Sequence, residues 1–157
     1  MVYSVRKLGA YTLGNARKIK VKIKNTGNVR HTFYVGAFIA KSYSGSGCNA
    51  YPTGSGGKDW FEFYPFRSVT LDPGQESDWI VFNFKEDYLT GGTWYACVKV
   101  WEAQGTESYT SYFINSDTGE YEGQKTVKSL KNCLAGECTS FSVTERIAAE
   151  ITRIVIE

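Results

Sequence analysis

Apolar and polar residues alternate with a period of two along several stretches of this chain. The clearest case is residues 18–28, "KIKVKIKNTGN", where Lys18, Lys20, Lys22 and Lys24 interleave with Ile19, Val21 and Ile23 before Asn25-Thr26-Gly27-Asn28 breaks the pattern. A period of two puts alternate side chains on opposite faces of a strand. The spacing therefore predicts a strand over roughly 17–24, with the isoleucines and valine inward and the lysines outward, ended by turn chemistry that tolerates positive φ. "VYSVRKL" (2–8) predicts a short strand before it, and "VRHTFYVGAFIAKSY" a long one after it. "WFEFYPFRSVTL" is extended, "DPGQ" is a sharp turn, and "ESDWIVFNFK" and "TWYACVKVWEA" alternate again.

Two regions are less regular. "SGSGCNAYPTGSGGKD" predicts a loop of about fifteen residues, a length that marks functional or disordered segments. Residues 105–140 contain a predicted strand "SYTSYFI", a turn "NSDTGEYEGQ" and the ambiguous "KTVKSLKNCLAGEC", followed by a strand "TSFSV". In the tail, "TERIAAEI" fits a helical turn or two and "EITRIVIE" a strand; the strand is favoured for the second half. Seven to nine short strands at intervals of about ten to twelve residues predict an all-β, antiparallel sandwich with little helix. At 157 residues the chain is expected to be one domain, 1–157, with elaborations at about 42–59 and 105–140.

Composition supports strands and turns: 11 Tyr, 9 Phe, 4 Trp and 16 Gly, with a single Met. No apolar run is long enough to cross a membrane, so no membrane insertion is expected. No signal sequence is visible, so the expectation is a cytosolic or virion protein, a mature form, or a module of something longer.

The net charge of +2 conceals an asymmetry. Residues 1–58 hold ten Lys/Arg and no acid, about +10; residues 59–157 hold eight Lys/Arg against sixteen Asp/Glu, about −8. Unless the halves interleave, such a dipole favours an anionic partner or head-to-tail association of copies.

Three ordered segments then carry a resemblance. "VKIKNTGNVRHTFYVGAFI" (21–39), "SVTLDPGQESDWIVFNF" (68–84) and "GTWYACVKVWEA" (92–103) resemble the immunoglobulin-like modules of bacterial and archaeal surface proteins, the adhesion-related, CARDB-like tandem repeats among them. The likeness covers roughly 17–103 plus "FSV" at 141–143. It implies an immunoglobulin-like β-sandwich, a fold that hosts adhesion, glycan binding and spacing alike. In tandem modules a tail like "AEITRIVIE" often opens the next repeat. The termini either complete this domain's own sheets or are exchanged between copies.

The four cysteines, Cys48, Cys97, Cys133 and Cys138, allow three full pairings. Cys133 and Cys138 bracket "LAGE", a loop short enough for a local bridge, which would leave Cys48 with Cys97. Four reduced thiols remain an alternative; zinc is disfavoured by the lack of CxxC and the single His. Disulfides imply an oxidising compartment or a hyperthermophile's interior.

Catalytic chemistry finds little foothold. A Ser-His or Cys-His site has only His31 available, in "VRHTFYV". Glu86-Asp87 reads as a solvated turn pair, and "NSDTGEYEG" lacks the spaced acids of a calcium loop. The chain is expected to be no enzyme, with no cofactor and no metal. The binding candidates are Lys18, Lys20, Lys22 and Lys24, about 7 Å apart on one face, with Arg17 and Arg30 extending them, and Trp60, Tyr64 and Phe66 on one side of "WFEFYPF" unless a covering loop buries them. The expected role is a structural or adhesive module of an extracellular, cell-surface or virion assembly, whose partners are copies of itself or neighbouring modules. The alternatives are a carbohydrate-binding module using the aromatics, and a nucleic-acid-binding protein or metal-dependent nuclease; the lysine strand has no interleaved aromatics of the kind nucleic acid favours.

Overall fold

The computed structural model describes residues 15–145, 147 and 149–157. The strand expected at 2–8 lies outside them. The lysine strand forms as its alternation predicts. β1 (Ala16–Val21) pairs antiparallel with β7 (Ile80–Lys85), Ile19 opposite Phe82 and Lys20 opposite Val81. Ile19, Val21 and Ile23 pack on the core while the lysines are exposed.

The second sheet is built around β2 (His31–Ala40). Along one side of it lie β6 (Arg67–Leu71), against residues 31–35, and β5 (Trp60–Tyr64), against residues 38–40. Along the other side runs the first part of β8 (Gly92–Asn115), Tyr95–Trp101 opposite Tyr34–Ala40. β9 (Tyr121–Val143) pairs with β8 over almost its whole length. The far end of β8 then meets β5 in parallel, Glu62 opposite Phe113. One strand thus touches β2 near its start and β5 at its end, so it must curl. The ladder slips between Val100 and Trp101, Gln104 and Ser108, and Phe113 and Ile114, and such irregularities bend a ribbon. At the widest slip stands Gly105, where a Cβ would lie 2.8 Å from the Ser129 hydroxyl.

The chain is therefore all-β, with two sheets packed face to face. Between them lie Val35, Ile39, Phe61, Phe63, Phe82, Phe84, Trp94 and Ile114, all almost fully buried. Phe63 meets Phe82 and Phe84 edge-on, at 5.7 and 6.1 Å between ring centres. Trp94 buries completely and satisfies its indole N–H on the Thr90 carbonyl, 2.8 Å away.

Residues 105–140 are not a loop-rich insertion: they are the outer reaches of β8 and β9, joined at 116–120. Of the polar residues that blurred their pattern, Thr106, Ser108, Thr110, Lys125, Thr126, Lys128 and Lys131 are exposed, whereas Ser111 is buried. Residues 42–59 are ordered as well. They carry two-residue strands β3 (Tyr43–Ser44) and β4 (Tyr51–Pro52) around a 3-10 turn, Gly47–Asn49. The loop lies against β9 so closely that a Cβ on Gly136 would strike the Gly47 carbonyl.

The cysteines are all bridged, but not by the local pairing. Cys133 and Cys138 lie on extended β9 rather than across a turn, so their side chains reach different neighbours. Cys138 faces Cys97 directly across the ladder and is bonded to it, with 4.1 Å between Cα atoms. Cys133 is bonded to Cys48, fastening the loop to the ribbon across 85 residues of sequence. Two disulfides indicate an oxidising compartment. The strand expected in the tail does not form: the described residues from 144 to 157 hold none. No helix among the described residues is long and apolar enough to cross a membrane.

The two turns with the strongest sequence signals lock together. Asn25 is buried; its amide donates to the carbonyls of Val29 (2.8 Å) and Leu71 (2.9 Å), and its Oδ1 accepts from the Gly27 N–H (2.9 Å). Its backbone exchanges bonds with the Asp72–Gln75 turn, where Gly74 has φ +80°. Replacing Asn25 by Ala orphans two carbonyls, one of them buried, and is expected to cost about 2–4 kcal/mol in denaturant unfolding. Asn25→Asp keeps the shape and loses both donors, so it should be about as damaging. A mild Asn25→Asp would show that shape alone matters there.

Candidate functional site

The outer face of the β1–β7 sheet collects the lysines. Lys18, Lys20, Lys22 and Lys24 are all exposed. The register that sets Val21 opposite Ile80 carries Trp79 to their side. Trp79 is 55% exposed, and the ammonium groups of Lys20 and Lys22 sit 4.7 and 4.8 Å from its ring centre. A tryptophan face attracts such cations. The aromatic that the lysine strand itself lacks is thus supplied by its neighbour, a residue that the alternation of "ESDWIVFNFK" left unremarked as a partner for lysine.

The two arginines do not extend this row. Arg17 points inward, paired with buried Glu86, donating to the Ser142 carbonyl at 3.0 Å and lying over the Phe84 and Phe141 rings. Arg30 is paired with Asp72 at 2.7 Å. The charged halves therefore interleave in part: Arg17, Lys22 and Arg30 from the basic half meet Glu86, Glu76 and Asp72 from the acidic half. Lys22 reaches Glu76 only at 3.9 Å, and among the described residues Lys18, Lys20 and Lys24 have no ion pair. The row keeps most of its charge.

Beside it the two sheets part. A groove of about 700 Å³ opens between Val21–Gly27 and Leu134–Glu137, floored by Phe33, Val98 and Val100. His31 lies at its edge, its Nε2 2.7 Å from the Glu102 carbonyl and its ring edge-on to Phe33. That is the setting of a residue satisfied by its surroundings.

The aromatic candidates separate. Trp60 is half-buried, stacked edge-on to Tyr112, with its indole N–H on the Gly54 carbonyl at 3.2 Å. The 42–59 loop covers it. Tyr64 ends β5, 37% exposed, against Phe66 and Phe113. Phe66 lies past the Pro65 turn and lines a hollow of about 250 Å³ with Trp101, Tyr109, Leu130 and Glu62. Trp60, Tyr64 and Phe66 thus do not form one exposed platform.

The hollow holds two charged groups displaced by burial. Burial pushes the Glu62 carboxyl up, and the Ser111 and Tyr109 hydroxyls and the Lys99 ammonium only partly offset it. Burial likewise pulls Lys99 down against the attraction of Glu62. Desolvation outweighs the pairing on both sides. Tyr109 donates to Glu62 at 3.2 Å and is itself pushed up by burial and by that carboxylate. The acids of the 115–123 turn are each spent on a different cation: Asp117 on Arg67, Glu120 on Lys85, Glu122 on Lys125. Among the described residues no three His, Cys, Asp or Glu side chains converge as a metal site.

No family model, no curated protein and no solved structure matches this chain.

A raised Glu62 means that the folded state holds its proton more tightly than the unfolded chain. The contribution is then fully present below the ordinary carboxylate range and is lost as pH rises from there through the raised value that Glu62 has in the fold. Glu62→Gln should raise the melting temperature at pH 7, with the gain vanishing near about pH 3, where both forms are neutral. A gain that is unchanged across pH would assign the effect to packing.

Proposed function

We propose that this chain is a non-enzymatic structural or adhesive module of an extracellular, cell-surface or virion assembly, associating with copies of itself. The observation that carries this is the row of Lys18, Lys20, Lys22 and Lys24 closed by exposed Trp79. A tryptophan beside largely unpaired cations is a costly surface to leave in water and a good anchor for an interface. The acidic second half of a neighbouring copy is the complementary surface. The two disulfides suit exposure outside a reducing cytosol, and the immunoglobulin-like resemblance suits an all-β module whose work is contact. Light scattering at low salt should show oligomers that grow with concentration and dissolve as salt screens the charges. Lys18→Glu with Lys20→Glu should weaken them roughly tenfold. A single monomeric mass at every concentration and salt would sink the proposal.

A second reading, carbohydrate binding, draws on the hollow that sets Phe66, Trp101 and Tyr109 beside Glu62. Aromatic faces and a carboxylate are the groups that hold a sugar ring. Titrating a broad panel of sugars should then shift tryptophan fluorescence, and Trp101→Ala should abolish the shift; silence across the panel would dismiss this reading.

A further inference from the structure

The groove between β1 and β9 is bounded by two strand edges that no other strand among the described residues pairs with. Ile23 turns both backbone groups toward Ser77, its N–H to the hydroxyl at 3.0 Å and its carbonyl to the Ser77 N–H at 2.8 Å. In an antiparallel ladder the flanking residues must then face the other way. Lys22 and Lys24 so direct their N–H and C=O groups into the groove, and among the described residues no backbone group bonds them. On the far wall, β9 spends its inner edge on β8, with Gly136 opposite Lys99. Apolar surface stays uncovered here: Val29 is 63% and Leu134 53% exposed. An unpaired edge above an apolar floor is a template for one more strand.

The chain also carries a segment of matching chemistry that forms no strand among the described residues. After Val143 come fourteen residues that include Ile147, Ile151, Val155 and Ile156, at 99%, 45%, 52% and 69% exposed. "ITRIVIE" is rich in β-branched residues, alternates, and forms no strand. No described residue of this tail lines the groove of its own chain. The acid that follows it, Glu157, complements Lys22 and Lys24 on the groove's rim.

We propose that the tail of one copy, residues 151–156, enters the groove of another as an added strand, bonding the open edge at Lys22 and Lys24. Ile154 and Ile156 turn toward Phe33, Val98 and Val100, and Arg153 turns to water. This rests on the self-associating reading above and gives it a second contact, apolar and backbone-mediated, beside the lysine face. Each copy then offers one tail and one groove, a head-to-tail arrangement that builds rings or filaments.

Complementation between full-length variants tests it. Ile154→Asp with Ile156→Asp spoils the tail, and Val100→Arg spoils the groove. Each alone should assemble roughly tenfold more weakly than the wild-type chain, and a mixture should form one-to-one pairs, since one variant keeps a groove and the other a tail. Such pairs should survive salt that disperses the lysine-face contact. A folded tail variant that assembles like the wild type overturns the strand exchange and leaves lysine-face association standing, whereas a wild type that stays monomeric overturns both. If Val100→Arg does not fold, amide exchange on the wild type decides. Protection at Lys22, Lys24 and 151–156 that rises together with concentration supports the exchange. Concentration-independent protection of Lys22 and Lys24 means that the chain's own residues, 2–8 or its own tail, fill the groove, and overturns it.

Discussion

The backbone pairing of β8 is the constraint on which the rest depends. A 24-residue strand that bonds β2 near its start and β5 at its end cannot stay flat. It curls through three slips in its ladder with β9, and Gly105 gives the sharpest of them room. Because the ribbon folds back over the outer side of its own sheet, it creates the hollow that holds Glu62 and Lys99. It also presents Cys133 and Cys138 at two points along β9, so that one bridge reinforces the ladder and the other captures the 42–59 loop. That loop in turn shelters Trp60.

The small sheet is held differently. β1 and β7 make a two-stranded ladder, which is marginal in isolation. It is kept in place by Phe82, Phe84, Ile19 and Val21 on the shared core, by Arg17 spanning from Glu86 to Ser142, and by the Asn25 clasp on the Asp72–Gln75 turn. Among the described residues these anchors leave the edge at Lys22 and Lys24 without a backbone partner. A sheet of two strands so secured is rigid enough to position a charged row and open enough to take another strand.

The charge asymmetry of the sequence is spent unevenly. Three cations of the basic half are matched within the fold, and all three matches tie segments far apart in sequence: Arg17 to Glu86, Lys22 to Glu76 and Arg30 to Asp72. What is left over concentrates on one strand face, next to an indole. The distinction between a solvated strand face and a contact surface lies in that leftover and in Trp79, not in the count of lysines.

Local periodicity was enough to read the faces of β1, β7 and the first half of β8, because which way a side chain points on a strand depends only on its parity. Turn chemistry at 25–28 and 72–75 was legible for the same reason: Asn, Pro and Gly set φ within a few residues. The long ribbon was legible only at "SYTSYFI" and "TSFSV"; between them exposed Lys125, Thr126, Lys128 and Lys131 crowd buried Val127 and hide the alternation. Nor was the cysteine pairing. Sequence proximity favours Cys133 with Cys138, but an extended strand spreads the two apart and hands each to a partner brought near by folding. The meeting of Trp79 with Lys20 and Lys22 depends in the same way on the register between two strands about sixty residues apart. The sequence by itself determined that this is an all-β protein, and which side of its strands is wet. Which strands meet, which cysteines bond and which edges stay open was decided only by tertiary structure, because hydrogen-bond partners in a sheet are chosen by the whole chain and not by any stretch of it.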